Sequence, residues 1–284
     1  MKIAIITVAG ISSRFNKGIP EAEHVLKAVY YREDMRETLL YHLLVKCAFA
    51  DRIVVVGGYR FDELLHYAEE LQAHHGEVTV HVAKREAVSE TRETTVTVGR
   101  LLKKVQFIQN DHFEDLASGY SLYLGIDEAL RSGATEILFA EGDLDVDDDS
   151  FRHVVRSENS VLTYNHEPVY ANKAVVLYQN AEGKYRYAFN SAHGLLSIDE
   201  PFSCLLNSGQ IWKFTDMDAL RKANEAFYNE QKDGTNLYII RKYLDAGVPC
   251  SLVGLERWTN CNTREDYETI AEVWKKQRKK DAAE

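Results

Sequence analysis

Apolar residues come in short runs that alternate with segments of helical spacing along the first half of the chain. Residues 3–8 and 51–59 are β-rich apolar runs, which are typical of strands buried on both faces. Residues 37–50 and 61–73 carry apolar side chains at the three- and four-residue spacing of amphipathic helices. Strands and helices therefore alternate with the spacing of right-handed βαβ units, which predicts a mainly parallel sheet flanked by helices.

The alternation continues to the end of the chain, with more tyrosine and more strand in the second half. Residues 78–82 and 94–98 alternate apolar and polar side chains around a charged segment, which predicts a hairpin or two exposed strands. We interpret residues 78–102 as an insertion. Further strands are predicted over 105–108, 136–140, 161–164, 174–178, 185–189 and 250–255, and helices over 118–130, 216–230, 236–246 and 263–280.

The charge balance excludes some classes of partner. The chain has 284 residues, with 34 Lys+Arg against 44 Asp+Glu, so its formal net charge is −10. An acidic protein does not attract nucleic acid or an anionic membrane surface, although a few local cations can still bind a small anion. The apolar run at the N-terminus is too short to span a membrane. We expect one cytoplasmic α/β domain over residues 1–284, with no nucleic-acid partner and no membrane span.

Polar residues that could bind a phosphate directly follow the first strand. Gly10 lets the backbone approach a ligand, and consecutive backbone N–H groups can cradle phosphate oxygens. Arg14 can bind the same oxygens through two parallel hydrogen bonds. Ser12 stands where the dinucleotide fingerprint has its second glycine, and the segment is not a Walker loop. On these residues alone, a polar turn without a ligand explains the loop equally well.

Two carboxylates follow the strand predicted at 136–140. Asp143 and Asp145 are two residues apart, so in an extended chain they point to the same side and could hold Mg²⁺ against substrate phosphates. The acidic residues 147–149 are interpreted as a solvated turn. The position of Asp143 at the end of a core strand favours a function for it, because ligands of open α/β sheets bind at such ends.

A third group of polar residues precedes the last predicted helix. Thr263 is the expected N-cap of that helix, with Asp266 three residues later. This capping explains both residues structurally. It does not explain Asn260 and Asn262, which come just before the cap.

In this order, the segments resemble the nucleotidyltransferases of the GT-A-like fold. This family includes the nucleoside-diphosphate-sugar pyrophosphorylases and the phosphocholine and phosphonate cytidylyltransferases. The opening Ala9-Gly10-x-Ser12-Ser13-Arg14 is similar to the family's nucleotide loop, and Lys27 is similar to the lysine of its P-K-x-L motif, without the proline. Further similar segments contain Gly58 at a strand end, Asn110 with Ser121, Gly142-Asp143, Lys173 before a strand, Gly209 in a strand, and Trp258-x-Asn260-x-Asn262.

The resemblance implies a Rossmann-like, mixed and mainly parallel sheet, with a nucleotide-binding part over about 1–150 and an acceptor-binding part over about 151–284. It implies that the nucleoside monophosphate of a triphosphate, with CTP favoured, is joined to a small phosphorylated or phosphonate acceptor as pyrophosphate leaves. Asp143 and Asn262 are then the Mg²⁺ ligands, with Asn260 as the alternative to Asn262. The other implied roles are catalysis for Arg14, Lys27 and Lys173, nucleotide binding for Ala9, Gly10, Ser12, Ser13, Gly58, Asn110 and Ser121, and acceptor binding for Asp145 and Gly209.

Several alternatives stay open at this point. One is a UTP- or dTTP-dependent enzyme acting on a sugar 1-phosphate. Another is a glycosyltransferase of the same fold, in which Asp143-x-Asp145 binds a nucleotide-sugar. A third is a nucleotide-sensing domain without chemistry. Strands of the insertion could also pair between two copies and form a homodimer.

Overall fold

The computed structural model describes residues 1–73, 77–83, 91–171, 175–189 and 195–281. Its strands are β1 (Lys2–Val8), β2 (Arg52–Gly57), β3 (Glu77–Ala83), β4 (Thr91–Thr97), β5 (Val105–Gln109), β6 (Glu136–Glu141), β7 (Leu144–Val146), β8 (Ser160–Asn165), β9 (Val176–Asn180), β10 (Tyr185–Ala188), β11 (Phe202–Phe214), β12 (Cys250–Leu255) and β13 (Trp258–Asn260). Its α-helices are α1 (Leu39–Lys46), α2 (Phe61–Ala73), α3 (Val98–Leu102), α4 (Ser118–Arg131), α5 (Asp148–Arg156), α6 (Met217–Glu230), α7 (Asn236–Asp245) and α8 (Arg264–Asp281).

The first strand lies in the centre of the sheet and is covered on both faces. Ala4 and Ile6 pack into one core cluster with residues of α1, whereas Ile3 and Ile5 pack into a second cluster with residues of α4. Both faces therefore need apolar side chains, which explains why β1 and β2 are nearly continuous apolar runs instead of alternating ones.

The main sheet is mixed, as the sequence predicts. Its strands follow the order β10-β9-β11-β6-β1-β2-β5, and β8 lies against β11 and β12. β1 is parallel to β2 and β6, β2 is parallel to β5, and β12 is parallel to β8, whereas β11 is antiparallel to its three neighbours. The expected α/β class and the mainly parallel centre are confirmed.

A second, two-stranded sheet joins two distant parts of the chain. β7 and β13 are antiparallel, with Thr259 opposite Asp145 and Asn260 opposite Leu144. Beyond the last pair, the backbone N–H of Cys261 donates to the carbonyl of Asp143 at 2.8 Å. Neither strand was predicted, because three residues are too few to show a periodic pattern.

The acidic run after β7 is not the solvated turn predicted for it. Asp147 is the N-cap of α5, where its side chain accepts hydrogen bonds from the backbone N–H groups of Ser150 and Arg257 at 2.8 and 3.0 Å. Burial opposes the ionisation of this carboxyl, but the hydrogen bonds outweigh it and lower the pKa of Asp147. The run therefore begins a helix, where negative charge is favourable.

The last helix begins as predicted. Thr263 accepts a hydrogen bond from the backbone N–H of Asp266 at 3.2 Å, and the Asp266 carboxylate accepts one from Thr263 at 2.8 Å, which is a capping box. β3 and β4 pair as an antiparallel hairpin within the expected insertion. Among the helices that the structure describes, none is long and apolar enough to cross a membrane.

Candidate active site

A cavity of about 460 Å³ opens at the carboxyl ends of β1 and β6. This volume lies within the range typical of small-molecule sites, and the sheet edge is where open α/β folds bind ligands. The predicted site residues that line it are Ala9, Gly10, Ser12, Ser13, Lys27, Asn110, Ser121 and Asp143.

The loop after β1 is fixed by the segment that carries Lys27. Ser12 has a positive φ of 59°, and its hydroxyl accepts a hydrogen bond from the backbone N–H of Lys27 at 3.3 Å. The side chain of Asn16 bonds both backbone groups of Val25, at 2.9 and 3.2 Å. A Cβ added to Gly10 would meet no atom within 4 Å, so the backbone faces open space there. These hydrogen bonds therefore fix the loop in a conformation that leaves room for a ligand.

Lys27 and Asp143 meet at the edge of the cavity, although they are far apart in sequence. The Lys27 Nζ lies 3.0 Å from Asp143 Oδ2 and 2.5 Å from the carbonyl oxygen of Cys261. Both side chains keep partial contact with solvent, being 15 % and 24 % exposed. The pair is therefore within reach of a bound ligand and is not a sealed core ion pair.

Two buried side-chain oxygens have no hydrogen-bond partner among the described residues. One is Asp143 Oδ1, on the carboxylate that contacts Lys27, and the other is Asn262 Oδ1; the backbone bond between Cys261 and Asp143 brings their segments together. Carboxylate and amide oxygens are ligands that Mg²⁺ accepts, and Mg²⁺ is commonly held by one or two protein oxygens with substrate phosphates. Asn260 Oδ1 is also unpaired, so the alternative between Asn260 and Asn262 stays open. The donor set fits a divalent cation.

The described residues contain no group of three or more His, Cys, Asp and Glu side chains that could hold a metal ion by themselves. A cation at Asp143 would therefore take further ligands from water or from a bound molecule.

Asn110 and Ser121 form a buried polar pair on another wall of the cavity. Asn110 Nδ2 donates to the Ser121 hydroxyl at 2.9 Å, and Asn110 Oδ1 accepts from the backbone of His112 at 2.9 Å. Gly58 does not itself line the cavity. A Cβ there would lie 2.6 Å from Phe113 Cβ and 3.0 Å from Ala9 Cβ, so the absence of a side chain lets these two cavity residues approach.

Of the described residues that were predicted for the site, Arg14, Gly209 and Asn262 do not line this cavity. Arg14 is exposed and, within the described part of the chain, its side chain has no ion pair or hydrogen bond. Gly209 lies in β11, where its carbonyl accepts a hydrogen bond from Trp258 Nε1 at 2.9 Å. Lys173 lies outside the described residues.

The structure gives Asp145, for which the resemblance implies acceptor binding, partners in two other segments of the chain. Its side chain is 1 % exposed, pairs with Arg257 and accepts a hydrogen bond from Trp274 Nε1 at 2.9 Å. The alternation expected of an extended chain does not hold, because Asp143 lies in the turn before β7 and only Asp145 lies in the strand. Asp145 therefore holds β7 against β13 and α8.

Sequence reasoning missed two residues, one that packs on the loop carrying Arg14 and one that lines the cavity. Arg264, the first residue of α8, places its guanidinium 5.2 Å from the ring centre of Phe15 and 4.5 Å from that of Tyr30. It thereby ties the segment after Asn262 to the loop that carries Arg14. Neither a motif nor a periodicity marks such a stack.

Glu141 is the second residue that sequence reasoning missed. Its position directly before Gly142-Asp143 is the signal that could have identified it. It lines the cavity and accepts a hydrogen bond from Asn236 Nδ2 at 2.6 Å. Burial first, and the negative charge of Asp143 second, raise the pKa of Glu141 to about 8. In the unliganded protein at neutral pH this carboxyl is therefore mostly protonated.

We expect the free energy of unfolding of the metal-free protein to fall as the pH rises. Glu141→Gln should abolish this fall. The folded chain holds a proton that the unfolded chain releases near pH 4.5. The stability linked to this proton is fully present below the unfolded pKa and is lost as the pH approaches the folded pKa, by at most ~1.4 kcal/mol per pH unit. Urea denaturation between about pH 5 and pH 8 measures this slope. Equal slopes for both proteins would contradict the prediction.

A family profile described as "Domain of unknown function (DUF6564)" matches residues 23–90 and 88–274 of the chain. No curated protein sequence matches this chain. Among solved structures, the chain is similar to the inositol-1-phosphate CTP transferase from T. maritima, with 14 % identity, a TM-score of 0.61 and 96 % of each chain covered.

Two further structures have the same fold. The CTP:phosphocholine cytidylyltransferase from Streptococcus pneumoniae is 14 % identical, with a TM-score of 0.56 and 96 % of this chain and 99 % of that chain covered. A UDP-glucose pyrophosphorylase complexed with UDP-glucose is 10 % identical, with a TM-score of 0.62 and 98 % and 99 % covered. The predicted resemblance to GT-A-like nucleotidyltransferases is thus confirmed for the fold.

Proposed function

The chain belongs to the family described as "Domain of unknown function (DUF6564)", and we propose that it is a Mg²⁺-dependent nucleotidyltransferase. It would join the nucleoside monophosphate of a triphosphate, with CTP favoured, to a small phosphorylated or phosphonate acceptor. The observation that carries the proposal is the contact of Lys27 with Asp143, whose second oxygen is buried without a hydrogen-bond partner among the described residues, as is Asn262 Oδ1. Lys27 and Asp143 line the cavity of about 460 Å³, whereas Asn262 does not.

In the proposed reaction, an oxygen of the acceptor phosphate attacks the α-phosphorus of the triphosphate. The bond between the α-phosphorus and the oxygen bridging to the β-phosphorus breaks, and that oxygen leaves with pyrophosphate. Most of the rate in such transfers comes from positioning and from neutralising charge, so no covalent protein intermediate is needed.

Each proposed residue has a role in that positioning. Asp143 and Asn262 would hold Mg²⁺, which when bound neutralises charge on the α-phosphate and orients it. Lys27 and Arg14 bind and neutralise the triphosphate and the departing pyrophosphate. Lys173 binds the acceptor phosphate, as the resemblance implies. Because Lys27 lines the cavity beside Asp143, its ammonium group would be within reach of a phosphate oxygen bound there.

The nucleotide-binding part is proposed over about 1–150 and the acceptor-binding part over about 151–284. The preference for CTP rests on the resemblance of the segment with Asn110 and Ser121 to the phosphocholine cytidylyltransferases, and both residues line the cavity. Nucleoside triphosphates are cytoplasmic metabolites, so we propose that the protein acts in the cytoplasm. A homodimer formed through the β3–β4 hairpin stays a prediction.

A panel of the four nucleoside triphosphates and dTTP against small phosphorylated acceptors, with Mg²⁺, tests the proposal through the release of pyrophosphate. We expect release that requires both substrates and is fastest with CTP. If pyrophosphate is released fastest with UTP or dTTP and a sugar 1-phosphate, the protein is the UTP- or dTTP-dependent enzyme and does not prefer CTP. Transfer from a nucleotide-sugar without pyrophosphate would favour the glycosyltransferase, and nucleotide binding without turnover would favour the sensing domain.

A further inference from the structure

The end of β6 brings a second carboxyl group to the cavity, besides that of Asp143. Glu141 belongs to the same face of β6 as Ile137 and Phe139, whose side chains pack against residues of α4 and α7. Its Oε1 accepts a hydrogen bond from Asn236, the first residue of α7. Within the described part of the chain, Glu141 Oε2 has no hydrogen-bond partner. Because the residue lines the cavity, this oxygen is available to a ligand.

The N-terminal ends of two helices meet beside this carboxyl group. The backbone N–H of Asn236 donates to the Ser118 hydroxyl at 3.3 Å, and that of Gly119 donates to the carbonyl of Gly234 at 3.2 Å. Asn236 is buried, so the residue that holds Glu141 is itself fixed between α7 and α4. A binding group whose partner is held in this way is preorganised for a ligand.

Polar side chains of α4 continue from Glu141 towards the other end of the cavity. Ser118 and Ser121 are three residues apart, so they share one face of α4, and both line the cavity. Ser121 is bonded to Asn110, which follows β5, whereas Glu141 ends β6. Because β1 and β2 lie between these strands, roughly 14 Å separates the two ends of the row. A nucleoside spans such a distance, whereas a base alone does not.

The chemistry of the walls decides which part of a nucleotide can lie at Glu141. A carboxyl group accepts hydrogen bonds, so it suits a hydroxyl and not the oxygens of a phosphate, which only accept. In the proposed function, the base lies at Asn110 and Ser121 and the α-phosphate lies at the cation held by Asp143. The ribose is the part of the nucleotide between them. Glu141 is two residues from Asp143, at the end where the ribose joins the α-phosphate.

We propose that Glu141 binds the vicinal 2′- and 3′-hydroxyls of the ribose and so selects ribonucleotides over 2′-deoxyribonucleotides. Carboxylates bind ribose hydroxyls in the same way in dinucleotide-binding sites. A carboxyl group can bond a hydroxyl whether it is protonated or ionised. The proposal rests on the proposed function, because it concerns the nucleotide of the same site. It goes further by disfavouring dTTP, a deoxyribonucleotide, among the open alternatives.

Comparing CTP with dCTP tests this selection in the full-length protein, with Mg²⁺ and the acceptor that gives the fastest pyrophosphate release in the panel. We expect kcat/KM for CTP to exceed that for dCTP by ~10-fold or more, because dCTP leaves a polar group of the site unpaired. UTP and dUTP form the equivalent pair if the enzyme prefers uridine. Equal use of the ribo- and deoxyribonucleotide overturns the inference while leaving the nucleotidyltransferase proposal intact.

Glu141→Met keeps the side-chain length and removes the hydrogen bonds. We expect it to reduce the ratio of kcat/KM for CTP to that for dCTP to less than about threefold. Glu141→Gln keeps an acceptor and should retain most of the preference. A side chain that only holds α7 would affect both nucleotides equally, so an unchanged ratio in Glu141→Met overturns the inference. Glu114→Met, in the exposed segment before α4, is the matched control and should leave both rates unchanged.

Binding measurements separate this inference from the proposed function. If no acceptor gives turnover, calorimetric titration with CTP and with dCTP, each in the presence of Mg²⁺, replaces the kinetic comparison. Tighter binding of CTP that Glu141→Met abolishes supports ribose recognition and contradicts only the proposed function. Equal affinities of the wild-type protein for the two nucleotides overturn the inference.

Discussion

Replacing Asp143 by alanine is expected to lower the release of pyrophosphate by ~100-fold or more, which is comparable to the loss of one electrostatic catalytic contact. The substitution removes the buried, unpaired oxygen and the carboxylate that meets Lys27. Without it, the cation loses one of its two proposed protein ligands. We expect kcat to fall much more than the affinity for the nucleotide, because the loop after β1 and Lys27 remain in place. Steady-state kinetics at saturating Mg²⁺ and CTP measure the effect.

Asp149→Ala is the matched control for this experiment. Asp149 belongs to the same acidic segment, but its side chain is 84 % exposed in the first turn of α5. The control is expected to keep wild-type turnover, and thermal denaturation of both variants excludes a general loss of folding. Near-normal pyrophosphate release by Asp143→Ala would contradict the metal assignment.

Asp145→Ala is expected to act mainly on stability, lowering the free energy of unfolding by about 2–4 kcal/mol. The substitution leaves Trp274 Nε1 without its acceptor and removes the partner of Arg257. We place the effect in the lower part of the range for a broken buried pair, because the Arg257 side chain is 31 % exposed and can still reach water. Urea denaturation at equilibrium measures the change.

The same variant separates two functional hypotheses. If Asp145 only holds β7 in place, Asp145→Ala should retain far more turnover than Asp143→Ala at a temperature where both are folded. A glycosyltransferase that binds its nucleotide-sugar through Asp143-x-Asp145 requires both carboxylates, so equal losses of activity would favour that alternative. Arg152→Ala, which removes another ion pair from this region, controls for nonspecific loss of charge pairing.

The fold was largely predictable because its local signals agree with one another. β1 and β2 are buried on both faces and so carry apolar residues at nearly every position. α2 shows the spacing of a surface helix, and α8 begins at a capping box. The failures occurred where the local signal is short or ambiguous. β7 and β13 have three residues each, and the acidic run from Asp147 has the composition of a turn although it caps α5.

For the candidate site, too, the sequence predicted some features and not others. The sequence by itself determined which strand ends carry polar residues, because a loop such as Gly10 to Arg14 or a motif such as Gly142-Asp143 is contiguous and sits at a recognisable strand boundary. It also determined the amides before the last helix, since the Thr263 cap leaves them unexplained.

Only the tertiary structure decided how these segments meet. Lys27 contacts Asp143 across 116 positions of sequence because β1 and β6 are neighbours in the sheet. Asp145 pairs with Arg257 whereas Asp143 pairs with Lys27, and Asn260 donates to Gln210 next to a register shift in β11. Such contacts depend on strand order and on local departures from regular geometry, and neither leaves a periodic trace along the chain.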